Sequence, residues 1–562
     1  KVNRKAKSSD AIFIKVNGEE VWYEVNEPLV LDSLMSLNWE GLNGPVMKVG
    51  RAFKRALTIG VTASPGFKVA NLMRDTIHAM AATKTSTNFL KNLSDGTKAT
   101  KKGSFASAQM LAGGGRFSDS GYIHGADPVS MKRLLEQGVE RDSILDTRMA
   151  IKKLWDGYQD LGARGENINR AAEWQQAYDK AIAAGEDPDY LEMNFNSRDH
   201  LDFTRTGTLT AVRAVTGLVP FLNARLQGLD KLARGSLDKD QQKQMGAVIG
   251  VYSAMSVMMY LAMKDDEDYK AAEQWERDAY HLFKLPGDDD TMYRLPRPFE
   301  VGAIASTMER LVEQFTDSEA DAALFGERLM HTITETFALN PIPQALKPAY
   351  EIGANKNLFT KRPIESMGMS RLSSERRKRA YTSETAVVAS QATNAAGVTL
   401  SPVQIEHLVK GYLGWAGATV LAATDMLVTR PLTDGPVAPA MKATEFPILD
   451  RFVREADGRN TKYTSAFYEQ LQEINTAYSD IRDARKLGEN ETADALQERN
   501  KEKLIYRKFY NRQQKKLSAL NKRMTLVRID RKLSADEKTE ALDDLIAKRN
   551  KITKNVYEMA GF

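Results

Sequence analysis

Cysteine is absent from all 562 residues. That excludes disulfides, thiol catalysis and every cysteine-built zinc or iron–sulfur site, and it leaves the chain indifferent to passage between reducing and oxidising compartments. Aromatic residues are scarce at 8%, and there are only 18 prolines and 37 glycines. With Ala, Leu, Lys and Glu abundant instead, the composition favours helices. No basic start followed by an apolar run and a small-residue cleavage site is present, so no secretory leader is read. The first residue is Lys1 rather than Met, and the chain is expected to be cut from, or to be the ordered part of, a longer one.

Catalytic signatures are missing as well. No G-x-S-x-G, no phosphate-cradling G-x-x-x-x-G-K-[ST] and no G-x-G-x-x-G occurs. The six histidines, His78, His124, His200, His281, His331 and His407, lie far apart, and none belongs to H-E-x-x-H. Asp288 to Asp290 lack the Gly and Glu spacing of a calcium loop. A nucleophile–base pair or a ligand set cannot be assembled from these parts. The reading is therefore a non-enzymatic chain with no catalytic, cofactor-binding or metal residue and no cofactor.

What is present is charge and helical period. Charged residues make up 27% and hydrophobic ones 42%, with a mean hydropathy of −0.44, so a large, mostly soluble chain is expected. Residues 11–25, "AIFIKVNGEEVWYEV", carry Asn17-Gly18 between two β-forming runs, the signature of a hairpin with a two-residue turn. Pro28 closes this segment, and from Leu29 onward strand signals nearly vanish. Helical stretches are separated by punctuation such as "TASPGF" at 62–67, "AGGGRFSDSG" at 112–121 and "KLPGDDD" at 284–290. The expected fold is predominantly all-α: an N-terminal segment over 1–28, a multi-helix body over 29–446 and a charged C-terminal helical arm over 447–562.

The arm is expected to hold three consecutive long helices projecting from the body. One ends near Gly488, a second runs from Asn490 to about Asp530, and a third starts at Ser534, whose spacing to Glu537 is that of a capping box. Leu517, Leu520, Met524 and Val527, with Leu542, Leu545 and Ile546, mark its buried stripes. Charge is concentrated here. Residues 501–562 contain 17 basic and 8 acidic side chains, a balance of +9, whereas the whole chain carries +5. Arg507, Lys508, Arg512, Lys515, Lys516, Lys522, Arg523 and Arg528 are interleaved with Tyr506, Phe509 and Tyr510. That pattern suits DNA phosphates and base stacking as well as it suits a solvated helix face.

From Met245 to Met263 nineteen residues pass without a charge, about 28 Å of helix and enough for a bilayer core. Being apolar all round, the helix is expected to be buried in protein, with a membrane span as the alternative. Gly246, Gly250 and Ala254 form a small-residue face on which another helix can pack closely. As a span, its cationic N-terminal flank would face a cytoplasm. Two lesser apolar stretches, 411–428 and 209–224, contain Asp425 and Arg213 with Pro220 respectively. A mid-span charge costs roughly 2.5–3.5 kcal/mol on insertion scales, so both are expected to be core helices.

Several segments together resemble a family. "SPGFKVANLMRDTIHA" at 64–79, "PFLNARLQGLDKLARG" at 220–235, "YRLPRPFEVGAIASTMERLVE" at 293–313, "ALNPIPQALKPAYEIGANKNLFTKRPIES" at 338–366 and "SPVQIEHLVKGYLGWAGA" at 401–418 resemble the large polyvalent protein-associated helical domain of bacteriophages. Similar segments occur in the internal virion, or ejection, proteins of short-tailed phages. The resemblance spans roughly residues 60 to 430. It implies a homo-oligomer packaged in the virion interior beside other internal, portal or tail proteins, then delivered with phage DNA into the host envelope as a conduit, where it meets the host membrane. It also implies that any catalytic domain lies elsewhere in a longer chain. A DNA-binding protein that coats or escorts incoming phage DNA, and a non-catalytic scaffold segment of a larger polyvalent enzyme, are the alternatives.

Overall fold

The computed structural model describes residues 11–16, 19–24, 44–83, 85, 88–101, 103–113, 115, 147–200, 209–316, 326, 342–358, 363–366, 368–379, 382–433, 436–442, 444, 446, 448–454 and 461–559. Strands β1 (Ala11–Val16) and β2 (Glu19–Glu24) pair antiparallel with Val16 opposite Glu19. The connection is thus two residues long, as the sequence predicts, although Asn17 and Gly18 themselves lie outside the described residues.

Helices then dominate. Each of α1 (Pro45–Thr62) and α2 (Pro65–Ala82) starts on a proline, which is tolerated where the first N–H groups have no helical partner. Ser64, Asn88 and Ser104 cap α2, α3 (Phe89–Ala99) and α4 (Phe105–Ala112) by accepting from main-chain N–H groups two or three positions inside the helix. The long α5 (Thr147–Ala184) and α6 (Tyr190–Asp199) complete this part. Trp174 of α5 is fully buried against Met110, Ala106 and Met193.

Pro220 and the left-handed Phe221 (φ 61°) turn α7 (Thr210–Leu218) into α8 (Leu222–Leu237). Next come α9 (Lys239–Met263), α10 (Glu267–Ala271) and α11 (Gln274–Ala279). The chain then forms strands that the sequence reading missed, β3 (Tyr280–Leu285) and β4 (Asp288–Pro296), turning at Gly287 with φ 85°. β5 (Val453–Arg454) adds to β4 from 157 residues further along, pairing Tyr293 with Val453 and Met292 with Arg454. The body closes with α12 (Phe299–Thr316), α13 (Lys347–Gly353), α14 (Glu384–Ala395), α15 (Pro402–Thr424) and α16 (Arg430–Thr433).

Both lesser apolar stretches are helical, but 411–428 is covered on one side only: Gly417, Leu421 and Asp425 are buried, whereas Val420, Met426 and Leu427 are exposed. Arg213 is buried. Asp425 is buried too, and it binds the start of α14, accepting from Glu384 N (2.9 Å), Thr385 N (2.6 Å) and Ser383 Oγ (3.2 Å). The carboxylate that argued against a span is therefore a helix N-terminal anchor. α15 also crosses α1 at van der Waals closeness, because Gly60 faces the Leu413 carbonyl and Gly414 departs from helical backbone at φ 57°.

The C-terminal region comprises α17 (Lys462–Lys486), α18 (Asn490–Arg499), α19 (Lys501–Ile505), α20 (Arg507–Ile529) and α21 (Ala535–Met559). Gly488 takes φ 82° past the end of α17, and Ser534 and Glu537 make the reciprocal capping-box bonds at 2.8 and 3.3 Å. The expected stripes meet, with Met524, Leu545 and Ile546 buried among Leu520, Val527 and Leu542. The second helix is not continuous, however: breaks at Asn500 and Tyr506 divide it into α18, α19 and α20. The bundle is also tied to the rest. The buried Lys538 ammonium donates to the carbonyls of Val437 (2.8 Å) and Arg528 (3.0 Å), Lys442 pairs with Asp543 at 2.6 Å, and Ser465 donates to Glu273 at 2.5 Å.

Glycine contacts separate two kinds of helix. A Cβ on Gly60 would sit 1.8 Å from the Leu413 oxygen, whereas one on Gly250 meets nothing within 4 Å. Gly60→Ala should lower stability by about 1–3 kcal/mol through overpacking. Gly250→Ala should raise it by about 0.5–1 kcal/mol by removing backbone freedom from the unfolded chain. Denaturant unfolding of both variants checks this; equal effects would contradict the α1–α15 crossing.

Candidate nucleic-acid interface

α20 has no acidic residue between Arg507 and Ile529. Its buried side is set by Tyr510, Leu517 and Met524, seven residues apart, so they share one helix face. At about 100° per residue, Lys508, Arg512, Lys515, Lys522 and Arg523 point within about 60° of the opposite direction and Lys516 within about 80°. All six are exposed. Among the described residues none of them forms an ion pair, although neighbouring cations such as Lys501, Lys503, Lys548 and Lys554 each have an acidic partner. From Lys508 to Arg523 the face runs about 22 Å, and its cations are free to meet a row of external phosphates.

The remaining predicted contacts are placed differently. Arg507 lies over the Tyr478 ring, 3.4 Å from its centroid, and is half-buried, as is Arg528. Neither belongs to the open face. The aromatic half of the expectation is corrected. Tyr510 is buried and stacked on Phe467, and Phe509 packs against the same core, which leaves only Tyr506 exposed. Bases cannot stack on the two rings that hold the bundle together.

The small-residue face of α9 meets no helix of this chain among the described residues. Among the described residues nothing lies within 4 Å of where a Cβ on Gly246 or Gly250 would sit, and Ala254 is exposed. The helix packs through the other side, where Tyr252, Ser256, Tyr260 and Met263 are buried. The helix is therefore buried on one side only, where Met245, Val248, Ile249 and Met255 also pack beside Ala81, Val301 and Ala305, and the expectation of burial all round fails on the opposite face.

Beneath α9 lies an ionic network. Arg297 donates to Glu309 (2.6 Å), Ser256 (2.9 Å), Ser306 (3.0 Å) and the Tyr280 carbonyl (3.0 Å). Arg310 and Arg277 share Glu313 at 2.7 and 2.8 Å, and Arg310 also reaches Asp278 at 3.0 Å. Glu276 bridges Arg294 and Arg454, each at 3.0 Å. His281 joins through Tyr252 at 2.8 Å, and burial lowers its pKa to about 2, so it is neutral. Its five arginines face four carboxylates and are largely closed from solvent, an arrangement that suits an architectural role.

A second buried group spans α2, α5, α6, α8 and α12. His78 and His200 face each other with centroids 5.8 Å apart, and Glu300 lies 3.4 Å from His78. Burial raises the carboxyls of Asp75 to about 7 and Glu173 to about 8, and holds His200 well below its ordinary value. No spacing rule could join His78 to His200 across 121 intervening residues. Of the other histidines, His407 meets Glu351 at 2.8 Å, while His124 and His331 lie outside the described residues. Among the described residues no three His, Asp or Glu side chains are placed to hold a metal ion.

Residues 266–449 match the family described as large polyvalent protein associated domain 38. The chain carries a polyvalent-protein-associated domain. This domain holds three of the stretches singled out from the sequence, at 293–313, 338–366 and 401–418; those at 64–79 and 220–235 lie before it. The first of the three supplies Arg294, Arg297, Glu309, Arg310 and Glu313, so that what stood out in the polyvalent domain's sequence is its ionic network. No curated protein and no solved structure matches the chain.

Two consequences are measurable. Glu309→Leu strands Arg297 without its anion and should cost roughly 3–5 kcal/mol in denaturant unfolding; a loss under 1 kcal/mol would show that the network is dispensable. Glu173 holds its proton in the folded chain up to about pH 8 but ionises near 4.5 when unfolded. The folded state therefore binds more protons between those values, and stability is full below the lower one and declines as pH rises through the upper. The stability of Glu173→Gln relative to wild type should accordingly increase from about pH 5 to pH 9, and a pH-independent difference would remove Glu173 from this account.

Proposed function

We propose that this chain is a non-catalytic part of an internal virion, or ejection, protein of a bacteriophage. It travels in the virion interior beside portal or tail components, enters the host envelope with the genome, and assembles with copies of itself into a conduit. There α20 touches the DNA backbone. The observation that carries the DNA contact is the row of six exposed, unpaired cations on a helix without acids. Cations spaced along one face suit phosphates, and phosphates carry no base sequence. The polyvalent domain at 266–449 supports the phage setting. It equally favours a second reading, a scaffold segment of a larger polyvalent enzyme, which differs in requiring no self-assembly.

The test is duplex DNA binding at several salt concentrations. Six phosphate contacts give a slope of about −5 in log K against log salt. Replacing Lys515, Lys516, Lys522 and Arg523 by Gln should flatten it by about 3–4 and weaken all sequences alike. An unchanged slope would return those residues to a solvated helix face.

A further inference from the structure

α9 is the one helix among the described residues that is long and apolar enough to cross a membrane, yet only 28% of its apolar window is buried. With Tyr252, Ser256, Tyr260 and Met263 turned inward, the outward face carries Gly246, Ala247, Gly250, Val251, Ala254, Met258, Leu261 and Ala262. Val251 at 73% and Met258 at 63% exposure are among the most open large apolar side chains of the body. Polar residues bound this face at each end. Lys243 is exposed and among the described residues forms no ion pair. The Asp265 side chain is 80% exposed, with only its neighbour Lys264 at 3.1 Å.

We infer that this face is covered by the same face of a second copy, packed antiparallel about a twofold axis through Ala254. The register follows from the sequence. Lys243 and Asp265 stand eleven residues to either side of Ala254, so antiparallel pairing sets each Lys243 opposite the partner's Asp265. Gly250 then faces Met258, Ala247 faces Leu261 and Gly246 faces Ala262, a small side chain against a larger or equal one at each of these steps, with Val251 against Val257 at the flank. A contact of this kind is isologous. It runs for about 33 Å, and its glycines let the two backbones approach. A parallel pair would instead set Lys243 against Lys243 and Asp265 against Asp265, and would stack Met258 on Met258 with Gly250 on Gly250. A lipid surface would accept both end charges in its headgroup layer but would give no reason for their equal spacing about Ala254, which the antiparallel pair uses. The inference rests on the reading of the chain as self-assembling and specifies one contact in that assembly; the α20 surface has no part in it.

The experiment is sedimentation velocity on the 562-residue chain. Wild type should dimerise. Gly250→Leu should keep its fold, because a Cβ there meets open space, and should raise the dimer dissociation constant by at least about tenfold. Lys243→Glu should weaken the dimer, and Lys243→Glu with Asp265→Lys should restore it. Since the chain has no cysteine, Ala254→Cys should cross-link to itself on oxidation. DNA binding of Gly250→Leu, measured in parallel, should be retained, so failure of the dimer and failure of the α20 contact are read separately. A monomeric wild type, an unrestored charge swap or an uncross-linked Ala254→Cys overturns the inference. So does flotation of a monomeric wild type with phosphatidylcholine–phosphatidylglycerol vesicles, which would assign the face to lipid.

Discussion

The Arg297–Glu309 ion pair is the constraint around which the polyvalent domain is arranged. Its side chains are 4% and 1% exposed, so both charges have left water, and their mutual attraction repays that only while the surrounding donors and acceptors stay in place. Ser256 of α9, Ser306 of α12, Tyr269 of α10 and the Tyr280 carbonyl of β3 are those partners. Each brings its own element into register. Sliding α9 along α12 takes Ser256 away from both Arg297 and Glu309 and leaves buried polar atoms of the pair unsatisfied, a penalty that favours one packing.

This explains an otherwise odd distribution of polarity. Beside Val301, Ala305 and Met292 the body also buries tyrosine, serine and arginine, while Val251, Ala254 and Met258 of α9 stay outside. Reading α9 as apolar and therefore buried treats each residue alone, but satisfied polar groups compete for the interior on equal terms once their hydrogen bonds are complete. The sequence contains both halves of the network, Ser256 and "RLPRPFE" with Glu309. It contains no local signal that they meet.

Local features were legible for local reasons. The hairpin register, the Gly488 turn and the Ser534 capping box depend on residues within a few positions of one another. The β3–β4 hairpin was legible in principle, since Pro286-Gly287 lies between "YHLFKL" and "TMYRLP", but its Asp run reads as a loop. β5 had no signal at all, because a two-residue strand acquires its conformation from the edge it joins. On α20 the cations were legible, whereas the roles of Phe509 and Tyr510 were not: an aromatic beside a lysine looks alike whether it faces a base or Phe467.

β5 has a mechanical consequence. The C-terminal bundle has its own core of Phe467, Leu471, Ile474, Tyr510, Leu517 and Val556, and the chain entering it leaves the body at Arg454. A pull on the bundle is therefore shared between the short β4–β5 pairing with its Glu276–Arg454 ion pair and the side-chain ties from Lys538 to Val437, Asp543 to Lys442 and Ser465 to Glu273. Each of these ties is short and local, yet because they act in parallel none has to carry the load alone.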